Sequence, residues 1–252
     1  MKSLKVGYSG IIFLLLVLVT PVLASVDIQY EEPKIKIIIG VDDKNLMYDE
    51  VEKLKQYLNE MGIANIETYY TSDNIDWKYF KDSDLIIYHN MGWDWYDYKN
   101  GKSPQIYAIL KKAKDYGIPI LVLGDDLTWH ADDYYTSEVL HLHSAESNGR
   151  LGSYNMVQIV DVNSPIINGK FGKVQNFTYR GDPDVMCTHR EGKILATTSC
   201  IGTCSETPIL FYYIDKSPII AINLDLYLYS CSSKKMGIVG QEHDLKMIEL
   251  FI

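Results

Sequence analysis

The sequence predicts an α/β domain, a parallel sheet flanked by helices that passes into antiparallel strands in its C-terminal third. Three observations carry this expectation. Short runs such as KIKIIIG, DLIIYHN and IPILVLG are apolar at consecutive positions, as in strands covered on both faces. Segments with apolar residues at helical spacing alternate with these runs over the first half of the chain, the pattern of parallel strands joined by crossover helices. From about Asn155 onward, strand-like runs succeed one another across short turns, which suits antiparallel pairing.

The elements follow in order. After a polar leader, KIKIIIGVDD reads as a buried strand ending at Gly40, with Asp42 and Asp43 just beyond. Residues 47–61 place Val51, Leu54, Leu58 and Met61 on one helical face, and Gly62 is a helix stop. IETYYT is a second strand by β-propensity. WKYF supplies one helical turn before DLIIYHN, the third strand. Residues 104–116 form a second helix, with Pro104 near its start and Gly117 closing it. IPILVLG is the fourth strand, and MVQIVDV, VQNFTY, KILATTS, PILFYYI and SPIIAINLDL are later ones. The last two, joined by Asp215-Lys216-Ser217, read as a hairpin that continues the sheet or forms a layer beside it. Residues 241–252 read as a terminal helix.

The N-terminus is set apart from this domain. Lys2 and Lys5 precede an uninterrupted apolar run at 11–19, and Val22 and Ala24 are the small residues of a cleavage site. This is the layout of a signal peptide over 1–24, with an uncleaved anchor as the competing reading. The apolar core is shorter than the roughly 20 residues a membrane span needs. The organisation expected is therefore a signal peptide (1–24), a polar leader (25–33) and a single domain (34–252). It implies a secreted or extracytoplasmic protein of the cell envelope, with membrane contact only through an uncleaved N-terminal segment.

Composition narrows the partners. With 24 Lys and Arg against 33 Asp and Glu, the formal net charge is −9, and it is more negative without Lys2 and Lys5. Such a surface repels phosphate backbones, so nucleic acid is not an expected partner. All four cysteines fall late, at Cys187, Cys200, Cys204 and Cys231. In an exported chain they favour disulfides, with Cys200–Cys204 and Cys187–Cys231 as the preferred pairing. Free or zinc-bound thiols are the alternative. Asn176-Phe177-Thr178 matches a glycosylation sequon.

Several short features together resemble the flavodoxin-like class I glutamine amidotransferase-like fold, particularly its trehalose-utilisation-type relatives. NSPIINGK (163–170) looks like the turn that precedes the late strands in that family, and PILFYYIDKSPIIAINLDLY looks like its closing hairpin, ending in Asp225. The resemblance spans residues 34–252. It implies that the turn after IPILVLG should carry a nucleophilic Cys or Ser. This chain has Gly124-Asp125-Asp126-Leu127 there, so the Cys-His-Glu triad is not carried over and glutamine hydrolysis is not expected. IKIIIGVDDKN also looks like the start of a response-regulator receiver domain. In that family the third strand should end in an Asp, and here it ends in His89 and Asn90.

Ligands of open parallel sheets bind beyond the carboxyl ends of the strands. Three such ends carry polar groups, namely Asp42 and Asp43, His89 and Asn90, and Asp125 and Asp126; Trp93, Trp95, Trp129 and His130 lie in adjoining loops. Carboxylates with a histidine can hold a divalent metal or serve as general acid and base. Tryptophans beside carboxylates suit sugar rings, which stack on one and hydrogen-bond to the other. The plainer reading is that strand-end acids cap helices and face water. A second cluster, His141, His143 and Glu146, has alternate spacing, so an extended chain would turn both rings to one side as metal ligands. His189 and His243 have no evident partners in the sequence. The chain's 20 tyrosines are either packing residues with polar tips or a contact surface for carbohydrate or protein.

The resulting expectation is a non-catalytic amidotransferase-like domain with a binding or structural role at the cell envelope, its partner a carbohydrate or an envelope protein. The alternative is a metal-assisted or carboxylate-based hydrolase of a sugar-like substrate, working through Asp42, Asp43, Asp125, Asp126, His89 and His130.

Overall fold

The computed structural model describes residues 33–39, 48–71, 73–89, 103–124, 139, 141–144, 149–150, 155–169, 172–179, 186–188, 192–199, 201–202 and 206–223. All lie in the unit Pro33–Ile252. The first half runs β1 (Ile35–Ile39), α1 (Tyr48–Glu60), β2 (Ile66–Tyr70), a 3-10 turn (Trp77–Tyr79), β3 (Leu85–His89), α2 (Ser103–Tyr116) and β4 (Ile120–Leu123). The second half is strands alone among the described residues. The longer ones are β7 (Asn155–Ile159), β10 (Phe177–Tyr179), β12 (Lys193–Ser199), β14 (Glu206–Ile214) and β15 (Pro218–Ile222).

These strands form one nine-stranded sheet in the order β10-β7-β12-β14-β15-β4-β3-β1-β2. Strands β2, β1, β3, β4 and β15 are mutually parallel, and β14, β12, β7 and β10 each pair antiparallel to the preceding neighbour. The late strands thus continue the sheet; they do not make a separate layer.

The doubly apolar strands explain this arrangement. Side chains alternate across a strand, so Ile35, Ile37, Leu85, Ile87, Leu121, Leu123, Ile220 and Ile222 share one face with Val51, Leu54 and Leu58 of α1. Ile38, Ile86, Tyr88, Ile120, Val122, Ile219 and Ala221 share the other with Ile106, Ile109, Leu110 and Ala113 of α2. Leu58 is fully buried while Lys55 of the same helix pairs with Glu52 on its outer side. Leu58→Ala is expected to cost about 2–5 kcal/mol of stability, and Lys55→Ala within about 0.5 kcal/mol of none. Urea midpoints with unchanged m-values would show this.

Both helices stop where the glycines predict. Gly62 (φ 88°) and Gly117 (φ 79°) take the left-handed conformation, and the N–H groups of Ile63 and Ile118 return to the carbonyls of Leu58 and Ala113 at 2.9 Å. Asp76 opens the 3-10 turn by accepting the Lys78 N–H at 3.0 Å. The β14–β15 hairpin closes through Asp215-Lys216-Ser217, and the buried Ser217 hydroxyl donates to the Ile118 carbonyl at 2.6 Å. That bond ties the hairpin turn to the α2–β4 junction. At the opposite margin, the sequon residue Asn176 accepts the Ile159 N–H at 2.9 Å.

Six short strands were not foreseen: β5 (Leu142–Ser144), β6 (Gly149–Arg150), β8 (Asn168–Gly169), β9 (Gly172–Lys173), β11 (Met186–Thr188) and β13 (Ile201–Gly202). They pair as three two-stranded ribbons, β5 with β11, β6 with β13 and β8 with β9. Two or three residues are too few to show a hydrophobic period, so the HLHSAESNG segment reads as loop in the sequence although its ends are strand. The expected terminal helix at 241–252 lies outside the described residues. Among those described, no helix is long and apolar enough to cross a membrane.

Candidate functional site

The carboxyl edge of the parallel strands is where the fold places a ligand site. Its best-defined side chain is His89, the last residue of β3. Register sets Ile39 of β1 beside it on one flank and Leu123 of β4 on the other. By strand alternation its ring lies on the α1 face with Leu85 and Ile87. It is only 2% exposed, and neither ring nitrogen has a hydrogen-bond partner. Burial alone drives its pKa down to about 3, so the imidazole is neutral at physiological pH. A buried, unsatisfied polar group costs about 1–3 kcal/mol.

The strands on either side of β3 are β1 and β4; in the sequence Asp42 and Asp43 follow the first, and Gly124, Asp125 and Asp126 follow the second. Gly124 has φ 135°, a backbone state that side chains disfavour, and its N–H is held by the Ile222 carbonyl at 3.1 Å. The end of β4 is thereby pinned to β15 immediately before the turn. Farther along the same edge, Asn223 is fully buried and donates through Nδ2 to the Pro208 carbonyl at 3.2 Å. Asp42, Asp43, Asn90, Trp93, Asp125, Asp126, Trp129, His130, Glu146, Cys200, Cys204 and Cys231 lie outside the described residues, as does Asp225.

His141 stands at the other end of the sheet. Its ring packs against Tyr213 in a tilted arrangement, with centroids 3.9 Å apart and 35° between the ring planes. Tyr213 pairs with Ile219 at the start of β15, which in turn faces Ile120 at the start of β4. The amino edge of the parallel strands is therefore its location, at the end of the sheet opposite His89. The extended segment expected from His141 to His143 begins one residue later than the spacing implied, because His141 has φ 58° and only Leu142–Ser144 are strand. The backbone of His143 sits directly across the ribbon from Cys187. Among the described residues, no three His, Cys, Asp or Glu side chains form a metal-holding group.

Sequence reasoning missed the groups around His141. Lys114 of α2 places Nζ 3.2 Å from His141 Nε2 and 3.1 Å from an Asp215 carboxylate oxygen, and it lies 5.7 Å from the Tyr213 ring centroid. No local signal could have joined these residues, which meet only through the sheet. A second missed cluster had a signal, since Lys36 is the one charge within the isoleucines of β1. It is buried and ion-paired with Glu67 directly across on β2. The Lys36 contact holds the Glu67 carboxyl below its ordinary value, while burial, then Glu67, pushes the Tyr69 hydroxyl up to about 12. These groups fasten the edge strand β2 and stand apart from His89.

Sheet order, helix placement and the late antiparallel strands together define the glutamine amidotransferase-like α/β fold. Solved structures share it across most of the chain. A ThuA-like protein from Bacteroides uniformis superposes with a TM-score of 0.56 at 11% identity, covering 88% of this chain and 91% of that one. PurLQS from Thermotoga maritima gives 0.52 at 11% identity, covering 87% and 97%. A glutamine amidotransferase from Thermotoga maritima gives 0.50 at 12% identity, covering 78% and 77%. At such identities the likeness is one of fold. Neither a protein-family model nor a curated protein sequence matches the chain.

Proposed function

We propose that this chain is an exported amidotransferase-like domain without the amidotransferase nucleophile, which binds a carbohydrate at the cell envelope. The observation that carries this reading is the end of β4. A strand in the middle of the parallel set, pinned through Gly124 to β15, runs into Asp125-Asp126 where the family resemblance calls for Cys or Ser. Carboxylates at that edge accept hydrogen bonds from hydroxyls, and Trp93, Trp95 and Trp129 supply faces on which sugar rings stack. The apolar run at 11–19 and the small residues Val22 and Ala24 support export by a signal peptide at 1–24. An envelope protein is the alternative partner. In the oxidising compartment this implies, Cys200–Cys204 and Cys187–Cys231 pair as disulfides.

A second reading, a metal-assisted or carboxylate-based hydrolase of a sugar-like substrate, is favoured by His89. A neutral imidazole with both nitrogens unpartnered, flanked by two acid-bearing strand exits, is a suitable divalent-metal ligand or proton carrier.

Thermal unfolding of the wild type and Asp125→Ala, each with neutral oligosaccharides and then with divalent metals, separates these readings. Stabilisation by an oligosaccharide that Asp125→Ala abolishes is the expected result. Stabilisation by metal alone, with turnover of a glycoside, would favour the hydrolase. No shift with any oligosaccharide would overturn the carbohydrate-binding reading.

A further inference from the structure

We propose that Asn176 is an N-glycosylation site whose glycan shields the β7–β10 margin of the sheet. The site depends on the export proposed above, because the modification takes place outside the cytoplasm. Asn176-Phe177-Thr178 has the Asn-x-Thr spacing with no proline between. The fold puts this tripeptide at the entry to β10, the terminal strand of the nine-stranded sheet. Phe177 is buried with Val157 in the α1-side core, whereas Asn176 and Thr178 on either side of it are exposed. Side chains alternate along a strand, so burial of Phe177 turns both polar groups away from that core.

The Asn176 amide is oriented for the modification. A backbone N–H can only donate, so the 2.9 Å bond from Ile159 fixes Oδ1 as the atom turned toward β7. The amide branches at Cγ, which puts Nδ2, the glycan acceptor, on the other side of the group. In the transfer, Nδ2 bonds to the anomeric carbon of an oligosaccharide carried on a lipid pyrophosphate. The carbon–oxygen bond to the pyrophosphate breaks, the pyrophosphate leaves with the electron pair, and Nδ2 gives one proton to a base. The product keeps its carbonyl oxygen, so the bond from Ile159 survives. Transfer accompanies export and precedes folding, so the folded chain has only to leave room for the glycan. The exposed Asn176 does so.

The same margin has apolar surface for a glycan to cover. Met156 lies opposite Thr178 across the β7–β10 ladder and is 52% exposed. By alternation it faces away from Val157 and the α1-side core. Val160 and Val162, just past β7, are exposed as well. Apolar side chains grouped at one place on a surface favour self-association. Asn176 is bonded to Ile159, between Met156 and these valines in the chain. A hydrated oligosaccharide rooted there stands in the path of a second chain approaching them.

Translation of the full chain with rough microsomes tests the site, with protection from added protease reporting entry. The expected result is one glycan's increase in mass on the protected chain, removed by peptide N-glycosidase and carried on the peptide that contains Asn176. Asn176→Gln and Thr178→Ala should lose it, and Thr178→Ser should keep it. A protected chain without the increase overturns the proposal. Where the chain is not protected, a proven signal sequence replacing residues 1–24 separates the two readings. A glycan on Asn176 then overturns export and upholds the acceptor site, and a protected chain with Asn176 unmodified overturns both. Sedimentation of the purified glycoprotein before and after glycosidase treatment tests the shielding. The enzyme leaves an aspartate, which still accepts from Ile159 and whose added negative charge opposes association. A shift to larger species after treatment is therefore owed to the lost glycan, and unchanged sedimentation overturns the shielding.

Discussion

Replacing His89 with Leu is expected to flatten the acid limb of the stability profile. Burial lowers the folded pKa of His89 from 6.5 to about 3, while the unfolded chain takes up its proton at the ordinary value. Between these values the unfolded state binds more protons, so stability is complete above pH ~6.5 and is lost progressively as pH falls toward ~3. One such group contributes a slope of at most about 1.4 kcal/mol per pH unit. Glu67, Asp115 and Asp161 are held below their ordinary carboxyl values by lysine partners. Their contributions are lost only at lower pH, so the histidine stands apart between pH ~6.5 and ~4.5, where it accounts for about 2 kcal/mol. Urea midpoints across this window, with His141→Gln as the background in both chains, isolate the effect. At pH ~7 the Leu variant should be at least as stable as the parent, because it removes an unsatisfied polar group worth about 1–3 kcal/mol. Parallel slopes in the two chains would falsify the assignment of a neutral, buried His89.

Gly192→Ala, just before β12, should be strongly destabilising for a single added methyl. A Cβ at that position would lie 1.9 Å from Cε2 and Cζ of Phe211, whose ring is buried in the α2-side core. Neither atom can yield without moving an aromatic ring through close-packed neighbours, and a cost of about 1–3 kcal/mol or more follows. Phe211→Leu alone leaves part of the ring volume empty and carries its own cost. Combined, the two changes relieve each other, since the methyl enters the space the ring vacates. The double variant should therefore be more stable than the sum of the singles by about 1 kcal/mol or more. Strict additivity in a denaturation cycle would show that the two positions do not meet.

The legibility of the chain follows the range of its interactions. Strands β1, β3 and β4 could be read because burial on both faces makes them apolar almost throughout, Lys36 and His89 excepted, and α1 because Val51, Leu54 and Leu58 repeat at helical spacing. Gly62 and Gly117 marked the helix ends through backbone freedom alone. The ribbons β5–β11 and β6–β13 had no such signature. Each is two or three residues long and finds its partner across dozens of intervening residues. At the site, the sequence shows acids following β1 and β4, which lie outside the described residues, but it could not tell that His89 would be sealed from solvent. His141 looked like one half of a metal pair because spacing assumes an extended chain. It takes a positive φ and meets a lysine and a tyrosine contributed by distant elements, while Glu146 lies outside the described residues.

The Ser217 hydroxyl and the Ile118 carbonyl lie 99 residues apart in the chain, and the strands beside them, β15 and β4, are paired at the centre of the sheet. The order of assembly follows from this. Until residues 218–222 are available, β4 has β3 on one side and an open ladder on the other, so the parallel half cannot close on itself. Formation of the core is a late, long-range event, of the kind that folds slowly and leaves a strand edge exposed while it waits. A chain interrupted before Pro218 would therefore present β4 as a template for non-native pairing.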